Sequence, residues 1–347
     1  MDVETQGVVD PPVWGGLAAG SPDGQPVERR RRRVDILRGP AGTLAPIAVL
    51  IIVSVIMHAG NPNFLTPYNL QAIATRASVL LVLGIGATVI ILLGAIDLSI
   101  GGICSLSTVI LARTIAPLQG WAFVLCLVMG ALAGGVNGLL NTRGRIPSFI
   151  ATLGTYGALS GAAYVVSNAT PIEVDPSNWG ILNWITSKSL GLGGGVWLAL
   201  AVLVVAVVVE RFSPFGRAVF AIGAGEQATR FSGINVDLFK IVAFMISGVC
   251  GSLAGILLVG QLYSGAANLG DPYLLLSITV VVMGGTALTG GIGSVLRTLI
   301  GVLIIVVIEN GLDVLGINVF AQGIATGLII LAAVALTSGR SAFAVVK

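Results

Sequence analysis

Long apolar stretches separated by short polar breaks run along the chain from about residue 41 to residue 337. Each approaches the roughly 20 residues that an α-helix needs to cross the hydrocarbon of a bilayer. The pattern predicts ten membrane spans, at about 41–59, 75–96, 98–115, 120–140, 148–168, 196–212, 239–260, 274–289, 294–312 and 320–337. The expected fold is therefore an all-α, polytopic membrane protein with both ends on one side.

The composition agrees with lipid as the solvent for most of the chain. Hydrophobic residues make up 55% of the 347 residues and charged residues only 10%, whereas a soluble domain carries about 25% charged residues. The 48 glycines suit helices whose backbones pack closely in a bilayer. Aromatic residues are few and long alternating segments are absent, which argues against an outer-membrane barrel.

The distribution of lysine and arginine predicts the orientation. With the N-terminus inside, fifteen of the 18 basic residues lie on the inner side, and only Arg76, Arg113 and Lys188 lie outside. Cytoplasmic loops carry such an excess, so both termini are expected in the cytoplasm. The predicted parts are a disordered basic tail (1–40), a transmembrane domain (41–338) with an external loop (169–195) and a cytoplasmic loop (213–237), and a second cytoplasmic tail (339–347).

Motifs for catalysis or metal binding are missing from the sequence. It has no GxxxxGK[ST] loop and no HExxH or paired-cysteine motif, and Cys104, Cys126 and Cys250 stand singly in apolar segments. We therefore expect no metal, no cofactor and no enzymatic activity in this chain. The arginine run at 29–33 is better explained as an anchor before the first span than as a nucleic-acid-binding segment, so no nucleic-acid partner is expected.

Asp97 is the carboxylate that the apolar pattern makes most conspicuous. It lies in ATVIILLGAIDLSIGGICSL, with glycines on both sides and Ser99 close behind. A charge in hydrocarbon costs roughly 3 kcal/mol, so such a residue is a candidate for a watery path or for internal pairing. A broken helix beside a cavity would fit the glycines. An equally good interpretation is that Asp97 caps the next helix.

Polar side chains in other spans are further candidates for a translocation pathway. Asn137 and Asn141 are four residues apart and share a helix face, and Asn310 is a similar intramembrane amide. Ser99 and Thr152 are hydroxyl candidates of the same kind. These groups could bind a polyhydroxylated solute, or they could join helices to one another, which is at least as common.

The sequence shows weak internal similarity. Residues 134–153 echo residues 307–326, and GAIDLSIGG at 94–102 echoes GGTALTGG at 284–291. Internal repeats are common in transporters. The first pair falls on opposite sides of the predicted topology and the second on the same side, so a broken or re-entrant segment is expected near Asp97.

The cytoplasmic loop combines basic charge with helical spacing and glycine punctuation. A short helix of small and polar residues that ends at a glycine is suited to packing into a groove of another protein. An ordinary positive-inside connector is the alternative. The candidate contact residues are Arg217, Glu226, Gln227, Ala228, Thr229, Arg230 and Gly233.

Five segments together resemble the permease subunits of bacterial ABC importers for ribose, xylose and related simple sugars. The resemblance covers nearly all of residues 43–337. The segments are NPNFLTPYNL (61–70), GAIDLSIGG (94–102), NGLLNTRGRIPSFIATLGT (137–155), GRAVFAIGAGEQATRFSGINV (216–236) and GGTALTGGIGSV (284–295).

The resemblance implies that residues 226–233 form the coupling segment that inserts into an ATPase subunit. In the family this segment has an EAA-three residues-G core, which Gln227, Ala228, Thr229 and Gly233 match here. Gln227 stands where the family has an acid, and Glu226 is the candidate to supply a charge contact. The family further implies ATP and Mg²⁺ on partner ATPase subunits, an external sugar-binding protein, and a second permease copy or paralogue.

Together these features predict the pathway subunit of a monosaccharide importer in the bacterial inner membrane. An ion-coupled secondary transporter that uses Asp97 is the alternative from the residues alone. Within the importer family, nucleosides and branched-chain amino acids are the alternative solutes.

Overall fold

The computed structural model describes residues 41–318, 321–324 and 327–328. Helices dominate these residues, and four two-residue strands lie in the loops. The first helices are α1 (Ala41–Gly60), α2 (Pro67–Leu92), α3 (Ser99–Leu118), α4 (Trp121–Thr142), α5 (Ser148–Ser167) and α6 (Trp179–Thr186). They are followed by α7 (Gly194–Phe212), α8 (Pro214–Ala224), α9 (Glu226–Phe231), α10 (Val236–Leu262), α11 (Asp271–Met283) and α12 (Val295–Val314). Two 3₁₀ turns occupy Pro62–Leu65 and Pro176–Asn178.

Nine of the ten predicted spans coincide with helices among these residues. Seven helices are long and apolar enough to cross a membrane, namely α2, α3, α4, α5, α7, α10 and α12. The apolar parts of α1 and α11 are shorter. The predicted span 320–337 lies largely outside the described residues, and the predicted tails 1–40 and 339–347 lie wholly outside them.

Capping residues explain where several helices begin. Thr66, Ser213, Asn235 and Ser294 each accept a hydrogen bond from a backbone N–H in the first turn of α2, α8, α10 and α12. Such side chains satisfy amide groups that have no partner within the helix. Because unpaired amides are costly in hydrocarbon, these caps set the depth at which each helix starts.

Two helices form the centre of the molecule. Of the 18-residue apolar stretch of each helix, 83% is buried in α2 and 78% in α3, and 67% is buried in each of α10 and α12. The corresponding values for α4, α5 and α7 are 28%, 17% and 22%. The chain therefore has an inner layer of four helices and an outer layer whose apolar surface is left for lipid or for a partner chain.

Glycines bring α4 and α10 into backbone contact. Gly130, Gly134 and Gly138 recur at every fourth residue of α4 and face α10. A Cβ atom on Gly134 would overlap the carbonyl oxygen of Phe244, and one on Gly248 would overlap the carbonyl oxygen of Gly130. Helices in membranes use small residues in this way because close approach maximises van der Waals contact.

The predicted external loop 169–195 is folded. Strand β1 (Ile172–Glu173) pairs antiparallel with β4 (Ser264–Gly265), and β2 (Lys188–Ser189) pairs with β3 (Leu192–Gly193). Helix α6 buries Leu182 and Ile185 against the ends of the membrane helices. The segment thus closes one end of the bundle with defined structure.

The predicted break near Asp97 is a connection between two long helices, not an interruption within one. Residues 93–98 are non-helical and lie between α2 and α3. They meet the connection between α11 and α12, where the Gly291 N–H donates to the Leu92 carbonyl at 2.9 Å. The two similar segments 94–102 and 284–291 therefore lie at the same end of the molecule, as the sequence predicts.

The backbone contact between α4 and α10 predicts that alanine substitutions at two adjacent glycines have very different effects on folding stability. Gly134→Ala should destabilise the protein by about 1–3 kcal/mol, because its methyl group has to push α10 away. The check is thermal unfolding of the purified protein in detergent.

Gly135→Ala is the matched control for this variant. A Cβ atom at Gly135 would lie 3.5 Å from Cγ of Met245, which is an ordinary contact. Equal melting temperatures for the two variants would contradict the proposed packing.

Candidate functional site

The cytoplasmic loop predicted from the charge pattern folds into two short helices. Helix α8 starts at Pro214, where the Ser213 hydroxyl accepts from the Gly216 N–H at 3.0 Å. Gly225 separates α8 from α9, and α9 leads through Gly233 into α10. Gly233 has a φ of +84°, a left-handed conformation that glycine adopts without strain.

Ion pairs attach α9 to the start of α10. Arg230 contacts Glu226 at 3.4 Å and Asp237 at 2.6 Å, and the Lys240 ammonium contacts the other Glu226 oxygen at 2.6 Å. The hydrogen bond to Asp237 is the main reason that the pKa of Arg230 is raised. The Thr229 hydroxyl is buried and donates to the carbonyls of Ala221 and Gly225, at 2.8 and 2.9 Å.

The opposite face of α9 is open. Gln227 and Ala228 are exposed, and Phe231 is 91% exposed. Arg217 on α8 is also exposed. An aromatic ring in water has no folding advantage, and clustered exposed apolar groups mark interaction sites. Three of the predicted contact residues thus bond within the chain (Glu226, Thr229, Arg230), three are exposed on α8 and α9 (Arg217, Gln227, Ala228), and Gly233 forms the turn.

The end of α8 touches both inter-helix connections described above. A Cβ atom on Gly223 would overlap the Leu92 carbonyl oxygen and the Gly291 nitrogen. Only a residue without a side chain fits between these backbones. The α8 segment therefore abuts the α2–α3 connection and the α11–α12 connection at one point, which we call the glycine junction (Leu92, Gly223, Gly291).

Asp97 is fully enclosed, with 2% of its surface exposed. One carboxylate oxygen accepts from the Ser99 N–H at 2.8 Å and from the Ser99 hydroxyl at 2.6 Å. The other accepts from the Ser247 hydroxyl of α10 at 2.7 Å. Asp97 therefore ties Ser99, the first residue of α3, to α10, as the interpretation of internal pairing predicts, whereas the N-cap position is Leu98.

The hydrogen bonds continue from Asp97 to α4 and α5. Asn137 of α4 donates to the Ser99 hydroxyl at 2.7 Å and accepts from Thr155 of α5 at 2.7 Å. The Thr152 hydroxyl accepts from the Leu98 N–H at 3.0 Å. Four of the six predicted pathway residues thus meet in one buried polar cluster, made of Asp97, Ser99, Asn137, Thr152, Thr155 and Ser247.

The other two predicted residues lie elsewhere. Asn141 donates to the Ile146 carbonyl at 3.0 Å and stabilises the turn between α4 and α5. Asn310 forms two amide hydrogen bonds with Asn69 of α2, at 2.8 and 3.0 Å. The shared helix face of Asn137 and Asn141 is observed, but only Asn137 reaches the cluster.

The sequence pattern did not identify Ser247 and Thr155 of the polar cluster or Gly223 of the glycine junction. Ser247 stands in a stripe of small residues on α10 that continues through Gly248, Gly251 and Ser252. Such a stripe signals close packing but does not say which carboxylate the hydroxyl meets. Within the described part of the chain, no group of three His, Cys, Asp or Glu side chains is placed to hold a metal ion.

Comparisons with known proteins identify the family. The family model described as "Branched-chain amino acid transport system / permease component" matches residues 69–334. The chain belongs to this permease family. With its apolar helices, it is a multi-pass protein of the inner membrane.

Individual relatives match almost end to end. The ribose import permease protein RbsC of Bacillus subtilis (strain 168) is 36% identical over 320 residues, which are 91% of this chain and 98% of that protein. The probable ABC transporter permease protein YphD of Escherichia coli (strain K12) is 36% identical over 299 residues, 84% of this chain and 87% of YphD. The L-arabinose transport system permease protein AraH of the same strain is 33% identical over 304 residues, 84% and 88% respectively.

The polar cluster predicts unequal roles for two buried serines of α10. Ser247→Ala should cost about 1–3 kcal/mol of folding stability, because it removes a donor to a buried carboxylate. Chemical or thermal unfolding of the purified protein in detergent measures the difference.

Ser252→Ala serves as the control on the same helix. Ser252 is equally buried but only accepts from the Ser107 hydroxyl at 2.9 Å, a bond between neutral groups. Its loss should cost about 0.5–1.5 kcal/mol. A larger effect for Ser252→Ala than for Ser247→Ala would refute the assigned role of the carboxylate.

Proposed function

We propose that this chain is the translocation subunit of an ATP-binding-cassette importer for a monosaccharide, a pentose or a similar sugar. The observation that carries the proposal is the match to a ribose import permease over 91% of this chain and 98% of the relative. The similar arabinose permease supports the same solute class. In this proposal an external binding protein delivers the sugar, and separate ATPase subunits bind ATP and Mg²⁺ and drive the transport.

The outward face of α9 is the proposed contact with the ATPase subunit. Gln227, Ala228 and Phe231 point away from the bundle, while Glu226 is engaged by Arg230 and Lys240 within the chain. The geometry therefore favours an uncharged contact centred on Ala228 and Phe231 over the charge contact expected from Glu226. The ion pairs hold α9 in place before the partner arrives, which reduces the entropic cost of docking.

The glycine junction is the proposed route from the ATPase to the membrane helices. Only Gly225 separates α8 from α9, and Gly223 at the end of α8 touches Leu92 and Gly291. Packed interfaces shift between discrete arrangements because they are not compressible. A movement of α8 would therefore displace both connections together.

Helix α5 is the proposed contact with a second permease copy across the pathway. A Cβ atom on Gly154, Gly157 or Gly161 would meet no atom of another described segment within 4 Å, and only 17% of the most apolar part of α5 is buried. Exposed glycines on a membrane helix allow another helix to approach closely. The polar cluster then supports the inner side of α5 through Thr152 and Thr155, and shapes the pathway wall instead of binding the sugar.

The alternative of an ion-coupled transporter has less support from the environment of Asp97. Its carboxylate accepts three hydrogen bonds from Ser99 and Ser247 and is closed off from the surface. A coupling carboxylate has to reach an ion from both sides of the membrane. Branched-chain amino acids, named in the family description, remain the alternative solutes.

A bulky residue at Ala228 should uncouple the transporter. Ala228→Trp is expected to lower sugar uptake about tenfold or more, the effect of losing a central contact in an interface. Folding should be unchanged because the side chain is exposed. Uptake and melting temperature are measured for the assembled transporter in proteoliposomes and in detergent.

Ala116→Trp is the control for the substitution itself. Ala116 is exposed on the last turns of α3, remote from α9 in the fold. Normal sugar uptake by both variants would mean that α9 is only a connector.

The driving force provides the test of the proposed function. Proteoliposomes that contain the chain, its ATPase and its binding protein should take up radiolabelled ribose or another pentose. Uptake should require ATP on the side of the membrane where the ATPase lies. Ionophores that collapse ion gradients should leave uptake unchanged. Uptake that needs an ion gradient and no ATP would overturn the proposal, and a binding protein that binds leucine but no sugar would overturn the solute class.

A further inference from the structure

An apolar cavity of about 220 Å³ lies beside the helix that leads to the docking segment. Helices α2, α7, α8 and α10 wall it, and its lining includes Val89, Ala206, Val209, Phe215 and Phe220. The residues contributed by α7 recur at helical spacing and so form one face of that helix. Neither the family nor the transport mechanism proposed above accounts for a cavity at this place.

The single acidic residue in the lining is already engaged. Glu210 accepts a hydrogen bond from the Val295 N–H at 2.7 Å and so caps the start of α12. No other charged residue lines the cavity. An apolar cavity of this size does not hold ordered water, because water needs two or more polar partners. The lining therefore suits a hydrocarbon occupant.

The cavity opens on the exposed side of α7. Val205 lines the cavity and is also 61% exposed, and the neighbouring Val204 and Val208 are exposed as well. Because the chain is a multi-pass membrane protein, the hydrocarbon available at this opening is the acyl chains of the bilayer. An alkyl chain gains about 0.8 kcal/mol for each methylene group that it buries.

Two basic residues that follow lining residues in the chain favour an anionic headgroup. Arg211 follows the cap residue Glu210 on α7, and Arg217 follows the lining residue Gly216 on α8. Both arginines are exposed, and neither forms an ion pair with any residue that the structure describes. Guanidinium groups next to a bilayer attract anionic headgroups, and Arg recognises phosphate in a bidentate manner.

We propose that this cavity binds one acyl chain of an anionic phospholipid whose phosphate is held by Arg211 and Arg217. The lipid would then fill the space between α7 and α8 and support α8 next to the glycine junction, because Leu92 of that junction also lines the cavity. The inference goes beyond the transport function, since it concerns the chain and its bilayer whatever solute is carried. Phosphatidylglycerol represents this class of lipid in the test below.

The test uses the full-length chain in phosphatidylcholine nanodiscs with a trace of photoactivatable lipid. A diazirine in the middle of the acyl chain labels the residues that surround it, and peptide mass spectrometry locates the cross-links. Labelling should concentrate on α7 and α8 within 202–220. Phosphatidylglycerol should label these segments about fivefold more than phosphatidylcholine, the effect expected of an arginine near an anionic headgroup.

Two variants examine the acyl chain and the headgroup separately. Ala206→Phe fills the cavity and should lower labelling about tenfold. A tenfold loss corresponds to the binding free energy of about two buried methylene groups. Val208→Phe places the same phenyl side chain on the exposed side of α7, outside the cavity lining, and should have no such effect. Arg211→Gln leaves the cavity intact and should remove most of the preference for phosphatidylglycerol.

Definite results would overturn the proposal. Equal labelling by the two lipids in the wild-type chain excludes the headgroup site. Labelling that Ala206→Phe and Val208→Phe change equally excludes the cavity as the acyl-chain site. Arg211→Gln is a surface substitution, so its result stands even if Ala206→Phe fails to fold.

Discussion

The backbone contact between α4 and α10 is the constraint on which the rest of the described structure depends. Gly134 and Gly248 have no room for a side chain, and the two helices meet carbonyl against Cα. This approach brings Asn137 of α4 and Ser247 of α10 within hydrogen-bond reach of the connection that carries Asp97 and Ser99. A wider spacing of the helices would leave a carboxylate in the interior without its donors, which is costly where no water replaces them.

Burial of Asp97 shows how hydrocarbon changes the meaning of a polar residue. In water a serine–aspartate bond adds little, but in this interior the carboxylate needs every donor that the surrounding helices provide. The cluster links the α2–α3 connection to α4, α5 and α10 in one set of bonds. It therefore orients α5, the most exposed of the long helices, without being accessible itself. A polar residue in the membrane can thus position the helices around it.

The sequence predicts the helices well because apolar length is a direct demand of the bilayer. It also identifies Asp97, since a charge among apolar residues carries a cost that has to be met. It does not distinguish Asn137 from Asn141 or Asn310, because the three amides have the same local signal and differ only in which helix lies opposite. The sequence does not reveal the roles of Ser247 and Gly223 for the same reason, because contacts between segments far apart in the chain determine those roles. The same limit applies to Glu226: its ion pairs with Arg230 and Lys240 depend on the turn at Gly233, and its charge contact with a partner stays a prediction.

Two separate attachments join the segment around α8 to the membrane helices. Gly223 touches the connections at 93–98 and 284–294, and Glu210, just before α8, caps the first turn of α12. Both connections come from the segments that resemble each other in sequence, so a single rigid helix contacts two similar structures at once. The ion pairs and the Thr229 hydrogen bonds fix α9 to α8 and α10, so direct contacts join α9 to α8 and α8 to both connections. The short exposed helix α9 is thereby linked, through α8, to the place where the α2–α3 connection and the α11–α12 connection meet.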